Sequence, residues 1–212
     1  MQPGSVDTAP PSWENDYARR GRLWGGVTGR LPELPPGSCV LELGCGDGKT
    51  LAAMAEKRWS VTALDISPTA VRMSHARFGT TGIHLLVADA RSLPLRDGSF
   101  DAVFLFHIAG HLLADDRARI AAETSRVLRD GGLLFFRAFS TEDMRAGKGT
   151  EVEEHTYRRG DAILTHYFTS EETAALFSML TPVSVQTHRW QMRIRGNDYP
   201  RVEIEALFRK NR

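Results

Sequence analysis

The densest chemistry in the chain lies in seven consecutive residues, Glu42-Leu43-Gly44-Cys45-Gly46-Asp47-Gly48. Glycines at alternate positions permit a tight turn and a close backbone approach to a ligand at a helix N-terminus. A further acid, Asp65, directly follows the apolar run Ser60–Leu64. An acid ending the second strand of a parallel sheet can accept hydrogen bonds from both hydroxyls of a ribose. The spacing is not that of a dinucleotide site: G-x-G-x-x-G/A requires a small residue where Lys49 stands, and no G-x-x-x-x-G-K-[ST] is present. Glu42, two residues before the first glycine, would repel a pyrophosphate and attract a positive group. The turn therefore predicts a nucleoside ligand bearing cationic charge. The alternative, a plain strand–helix turn with Asp65 capping the next helix, is disfavoured by the motif's position and its partner acid.

Three histidines, His107, His111 and His166, are candidate general bases, because an unperturbed imidazole titrates near pH ~6.5. His107 and His111 are four apart and share a face if the intervening Ile108-Ala109-Gly110 turns helically. Either can instead serve only to hydrogen-bond its loop. No metal is expected: near this pair only Asp115 offers a carboxylate, and the two cysteines, Cys39 and Cys45, belong to no CxxC or Cys/His set. Six residues apart within one strand and its loop, the cysteines are poorly placed for a disulfide, so a reducing, cytoplasmic setting is expected.

The elements that must position these groups alternate. Apolar runs at Cys39–Leu43, Ser60–Leu64, Ile83–Ala88, Phe100–Phe106 and Leu133–Phe139 read as strands buried on both faces of a parallel sheet. Between them, helices are predicted over 48–58, after the Ser67-Pro68 cap, and over 114–129, the last ended by Gly131-Gly132 as a left-handed terminus. The pattern is that of a doubly wound α/β fold. Residues 13–31 read as a helix and 1–12 as a disordered tail lacking the features of a signal peptide. After a polar stretch at 141–153, His155–Arg159 and Ala162–Phe168 flank Gly160-Asp161 as a hairpin. Thr169 and Glu172 suit a capping box for the next helix, and strands over 183–194 and 201–209 close the chain as an antiparallel pair. The hairpin reads equally as an edge cover for the sheet or as a substrate lid at 141–168.

The blocks VLELGCGDG (40–48), ALDIS (63–67), VADARSLPLRDGSFDAVF (87–104) and RVLRDGGLLFF (126–136) together resemble the class I S-adenosylmethionine-dependent methyltransferases, of the methyltransferase type 11 kind, in order and spacing. The resemblance covers residues 39–139 closely and implies a Rossmann-like seven-stranded sheet of order 3-2-1-4-5-7-6 with strand 7 antiparallel. It makes 13–212 a single S-adenosylmethionine-dependent domain. It implies that Gly44, Cys45 and Gly46 line the methionine end of the cofactor, that Glu42 shapes the same pocket, and that Asp65 holds the ribose. Ile66 is then expected on the adenine, Asp89 on the adenine amino group with Ala90 beside it, and Tyr17 over the cofactor. Phe106 and His107 are expected to face the methyl-transfer cleft, with His107 and His166 as the candidate catalytic bases. The product would be S-adenosylhomocysteine. A sulfonium is already an activated electrophile, so in-line positioning carries much of the catalysis, and a base is needed only for an acceptor that must lose a proton.

The 212 residues, 42% hydrophobic and 25% charged, are enough for one sizeable globular domain. A formal net charge of +1 gives no overall basic field. No membrane-spanning stretch is present and no membrane partner is expected. A small-molecule acceptor is accordingly expected. RNA is the alternative: HIAGHLLADDRARIAAETSRVLRDGG and His166-Tyr167-Phe168 distantly resemble tRNA wobble-uridine methyltransferases, and Arg189–Arg212 carries seven basic residues against three acids. A non-catalytic cofactor-binding module is disfavoured by the intact acid and glycine set, and an oxidoreductase by Lys49.

Overall fold

The computed structural model describes residues 12–21, 31–159 and 163–211. The expected tail before Ser12, the second half of the expected N-terminal helix and the Gly160-Asp161 turn lie outside the described residues. Helix α1 (Ser12–Arg20) precedes an alternating run: β1 (Cys39–Leu43), α2 (Leu51–Met54), β2 (Ser60–Asp65), α3 (Pro68–Phe78), β3 (His84–Val87) and β4 (Phe100–Phe106). A 3₁₀ turn (Ala109–His111), α4 (Ala114–Val127) and β5 (Leu128–Phe139) follow. Short strands β6 (Thr150–Glu153), β7 (Thr156–Arg158) and β8 (Leu164–His166) lead to α5 (Ser170–Leu176) and the long strands β9 (Thr181–Ile194) and β10 (Asn197–Arg209).

The main sheet has the order β3-β2-β1-β4-β5-β10-β9, which is 3-2-1-4-5-7-6 when its own strands are counted. β1 to β5 are mutually parallel, and β10 runs antiparallel to both β5 and β9. The central strands β1 and β4 are apolar on both faces and almost fully buried, so they accept helices on either side. In β10 burial alternates, with Val202, Ile204, Ala206 and Phe208 turned to the α4–α5 side and Glu203 and Glu205 to the other. Phe136, Phe168, Phe177 and Phe208 meet edge-on or tilted at 5.1–5.4 Å and fill the core between sheet and α5.

Local expectations fail in three places. The helix expected over 48–58 is regular only at Leu51–Met54, because Gly48 takes φ +83° before it and the Arg58 carbonyl is drawn to the Gly37 N–H after it. Gly131-Gly132 does not end α4. The helix stops at Val127, Leu128 is already extended and pairs with Phe100, and Gly131 (φ +78°) makes the bend that pairs with Lys210. The polar stretch 141–153 contributes β6, which joins the expected hairpin to give a three-stranded sheet, β6-β7-β8.

That small sheet is tied down by polar groups. His166 donates or accepts at both ring nitrogens, 2.7 Å from the Thr156 hydroxyl and 2.7 Å from Glu172 Oε1, while Glu153 takes the Ala114 N–H at the start of α4. Beside it, the segment after β5 runs along β10, where Asp143 Oδ2 accepts from Arg201 Nε at 2.7 Å and from the Val202 N–H at 3.1 Å. Both side chains of this ion pair are buried, at 4% and 0% exposure. Removing one member of a buried pair strands the other, which typically costs about 3–5 kcal/mol. Asp143→Ala should therefore lower the unfolding free energy by about that amount, measured by urea titration, whereas removing the exposed Arg189–Glu142 pair through Glu142→Ala should change it by less than about 1 kcal/mol.

Candidate cofactor and methyl-transfer site

The turn after β1 is built from backbone geometry that only glycine takes without strain. Gly44, Gly46 and Gly48 have φ of +72°, +54° and +83°. A side chain would also collide with what packs there. A Cβ on Gly44 would lie 2.5 Å from Ile108 Cγ2, one on Gly46 2.5 Å from the Tyr17 hydroxyl, and one on Gly48 against the Phe78 ring. Tyr17 comes from α1 and Ile108 from the loop after β4, so three separate segments close on one turn.

Asp65 ends β2 beside this turn. Its carboxylate accepts from the Gly46 N–H and the Ser67 N–H, both at 2.9 Å. Burial raises its pKa, and these backbone bonds oppose the rise. Glu42 is buried outright, and burial pushes its carboxyl up to about 8, with Asp65 adding to the rise and a hydrogen bond from Thr50 opposing it. Its Oε2 has no hydrogen-bond partner among the described residues. Burial also raises Tyr17, with the negative charges of Asp65 and Asp47 close by, and raises Cys45, with Glu42 and Asp65 close by. The turn thus concentrates carboxyl groups out of water.

α1 is fixed to this site by Glu14. Its carboxylate accepts from the Ser67 hydroxyl, from the Thr69 hydroxyl at 2.6 Å and from the Thr69 N–H at 3.1 Å. The Ser67 hydroxyl in turn caps α3 through the Ala70 N–H. The Ser67 hydroxyl, then Thr69, hold Glu14 below the usual carboxylate range. A carboxylate at a helix N-terminus is favoured by the exposed N–H groups and the helix dipole.

The expected site residues divide into two groups. Tyr17, Glu42, Gly44, Cys45, Gly46 and Asp65 converge on the turn. Ile66 stands at its rim, 37% exposed, whereas Ala90 is packed into the core. Asp89 lies beyond β3 and is clasped by Arg91, whose Nη2 donates at 2.6 Å and which also binds Asp116. Burial works to raise Asp89, but Arg91 holds it below the ordinary range. Phe106 packs edge-on to Phe104 at 5.5 Å, under the Arg137 guanidinium. His107, with φ +63°, stands just past β4 over Phe139, and its Nε2 is 2.8 Å from Glu203 Oε1. The turn begins only at Ala109, so helical spacing does not carry His107 onto the face of His111. His111 is half-buried between the Trp13 ring and the Leu164 carbonyl, and desolvation lowers it to about 4, so it stays neutral. His166 is buried with both nitrogens engaged, and the fold does not bring it to the turn.

Sequence reading gave no site role to Glu14, Ile108 or Glu203. Of these Glu203 left a trace, as one of two acids on the same side of an otherwise apolar alternating strand.

S-adenosylmethionine fits this turn on chemical grounds. The sulfonium and ammonium are the positive groups that Glu42 and its neighbours call for, and Asp65 keeps lone pairs for ribose hydroxyls. When bound, it supplies a methyl group on a sulfonium. A cation placed beside Glu42 should ionise it. Cofactor binding below pH 8 should therefore release a proton and tighten as pH rises toward 8, and Glu42→Gln should abolish both effects. Calorimetry in buffers of different ionisation heat reads the proton directly. In the free protein the same raised pKa makes Glu42 destabilise the fold increasingly as pH rises from its ordinary 4.5 to about 8, and fully above that, because the unfolded chain gives up the proton first.

A methyltransferase domain model matches residues 41–136. A tRNA N(3)-methylcytidine methyltransferase of Drosophila melanogaster is 30% identical over 237 residues, covering 95% of this chain and 71% of that protein. A 2-methyl-6-phytyl-1,4-hydroquinone methyltransferase of Synechocystis is 34% identical over 132 residues, covering 61% of this chain and 40% of that protein. The chain spans half the length or less of most curated relatives it matches. A solved S-adenosylmethionine-dependent methyltransferase from Methanosarcina mazei shares the fold, with a TM-score of 0.72 at 24% identity over 84% of this chain and 94% of that one. No helix among the described residues is long and apolar enough to cross a membrane. Strand order, acidic glycine turn and relatives agree: the chain belongs to the class I S-adenosylmethionine-dependent methyltransferases.

Proposed function

We propose that this methyltransferase acts on a ring nitrogen of a base in RNA. The observation that carries the reading is the similarity to the fly tRNA N(3)-methylcytidine enzyme, which runs along 95% of this chain rather than over the cofactor half alone. The site chemistry supports it. A pyridine-type ring nitrogen holds its lone pair in the ring plane and carries no proton at neutral pH. That lone pair forms the new N–C bond as the C–S bond breaks, the bonding electrons pass to sulfur, and the positive charge moves to the ring. No proton has to leave before transfer, so no general base is needed. This agrees with histidines that are held neutral, as His111 is, or fully engaged, as His166 is.

In this reading Tyr17, Glu42, Gly44, Cys45, Gly46 and Asp65 hold the cofactor, with Ile66, Asp89 and Ala90 at its adenine end. Phe106 and His107 border the acceptor, and His166 is a positioning residue that fixes the β6–β8 sheet. That sheet is the lid over the acceptor entrance, resting on the 3₁₀ turn through the bond between His111 and Leu164.

A small-molecule acceptor is the second reading, favoured by the similarity to the hydroquinone methyltransferase. A hydroxyl or carbon acceptor must lose a proton, and there His107 would serve as base. Transfer of labelled methyl to total tRNA and to a small-molecule extract separates the two. We expect label in tRNA, lost steeply with added salt as phosphate contacts are screened. His107→Ala should lower RNA transfer less than about tenfold, against the 10²–10⁴-fold loss expected of a true general base. Label confined to the small-molecule fraction, together with the larger loss, would instead establish the second reading.

A further inference from the structure

Strand order places Gly44, His107, Phe139 and Glu203 along one edge of the sheet. The first three stand at or just past the ends of the neighbouring strands β1, β4 and β5, and Glu203 lies midway along β10 at the level where β5 ends: Leu43 pairs with Leu105, Phe106 with Arg137 and Phe139 with Glu203. Neighbouring strands are about 4.8 Å apart, so His107, Phe139 and Glu203 stand one to three strand spacings from the glycine turn. Ile108, beside His107, already touches Gly44.

The chemistry at the far end of this row is unspent. His107 Nε2 is 2.8 Å from Glu203 Oε1, yet the approach is off the line of a hydrogen bond. Glu203 Oε1 and His107 Nδ1 are both buried without a hydrogen-bond partner among the described residues. Burial works to raise the Glu203 carboxyl, but His107, Arg137 and Arg201 hold it below the ordinary range, so it is an anion at neutral pH. The Phe139 ring packs against the His107 ring at 4.8 Å and carries the Arg201 guanidinium at 4.6 Å. An acceptor-only carboxylate suits a planar ring that presents N–H groups at its edge. A carboxylate accepting from the exocyclic amine of cytosine is the pairing expected of Glu or Asp.

We infer that Glu203, oriented by His107 beside the Phe139 ring, is the group that selects the acceptor base, accepting a hydrogen bond from an exocyclic amine next to the methylated ring nitrogen. The inference rests on the RNA-base reading above and specifies it: an amino base such as cytosine is taken and a keto base such as uracil refused. A keto base would set its oxygen against the carboxylate. The same carboxylate faces the positive charge that appears on the ring as the N–C bond forms, so its attraction grows toward the transition state.

The test uses the full chain, labelled cofactor, and polycytidylate and polyuridylate as acceptors. Wild type should label polycytidylate and leave polyuridylate unlabelled. Glu203→Gln keeps the shape but turns one oxygen into a donor. It should lower transfer to polycytidylate more than tenfold and leave both polyuridylate unlabelled and calorimetric cofactor affinity unchanged, since the uracil ring nitrogen still holds its proton. His107→Asn provides an independent arm, since Asn tolerates the left-handed backbone found there. With the carboxylate no longer oriented, transfer to polycytidylate should fall while cofactor affinity holds. If wild type labels polycytidylate and both variants keep its rate and base preference, the assignment of Glu203 is overturned while the RNA reading stands. If wild type labels neither polymer nor tRNA, the RNA reading itself fails and takes this inference with it.

Discussion

The carboxyl groups buried around a left-handed glycine turn are the constraint on which the rest of the molecule depends. Glu42 and Asp65 are removed from water, and the groups that perturb each of them include another carboxylate: Asp65 for Glu42, and Glu14 for Asp65. Such an arrangement is unfavourable in isolation, because burying a charge without a counter-charge drives its pKa upward. It persists because β1 and β2 are locked in register on both sides and because Gly44, Gly46 and Gly48 let backbone, rather than side chains, fill the space. The fold thus holds a negative site ready, and a cationic nucleoside relieves it.

From that turn the sheet distributes two different tasks to its two ends. Toward β3 lie the groups with the character of a nucleoside site, Ile66 and the Asp89–Arg91 clasp. Toward β10 the side opposite α4 and α5 carries Arg137, Phe139, Glu203 and Glu205, a row that includes charges where the other face is wholly apolar. The segment after β5 has to be held against β10 for this row to exist. The buried Asp143–Arg201 pair does that, and Arg201 continues onto Phe139 and Trp190. The β6–β8 sheet is anchored independently, by the chain Thr156–His166–Glu172–Arg117.

What could be read from the sequence was what adjacent residues decide. The strand runs, the Ser67-Pro68 cap and the glycine turn are local signals, and each appears in the structure where its residues stand. The strand order followed from the family resemblance and not from the runs themselves. Where reading failed, a distant partner had decided the matter. Gly131-Gly132 has the composition of a helix terminus, but Phe100 and Lys210 claim the chain first. His166 has the residue type of a base, but Thr156 and Glu172 occupy both its nitrogens. Glu14 is joined to residues 53 and 55 positions away, and Asp143 to one 58 positions away, and no local pattern encodes such pairs.

The Glu14 anchor bears on access to the turn. With Tyr17 5% and Asp65 8% exposed, the turn is sheltered beside α1. Lifting that helix breaks the hydrogen bonds of one carboxylate to Ser67 and Thr69. Any opening of the turn by movement of α1 is therefore opposed by a contact on the first helix rather than by the glycine turn itself.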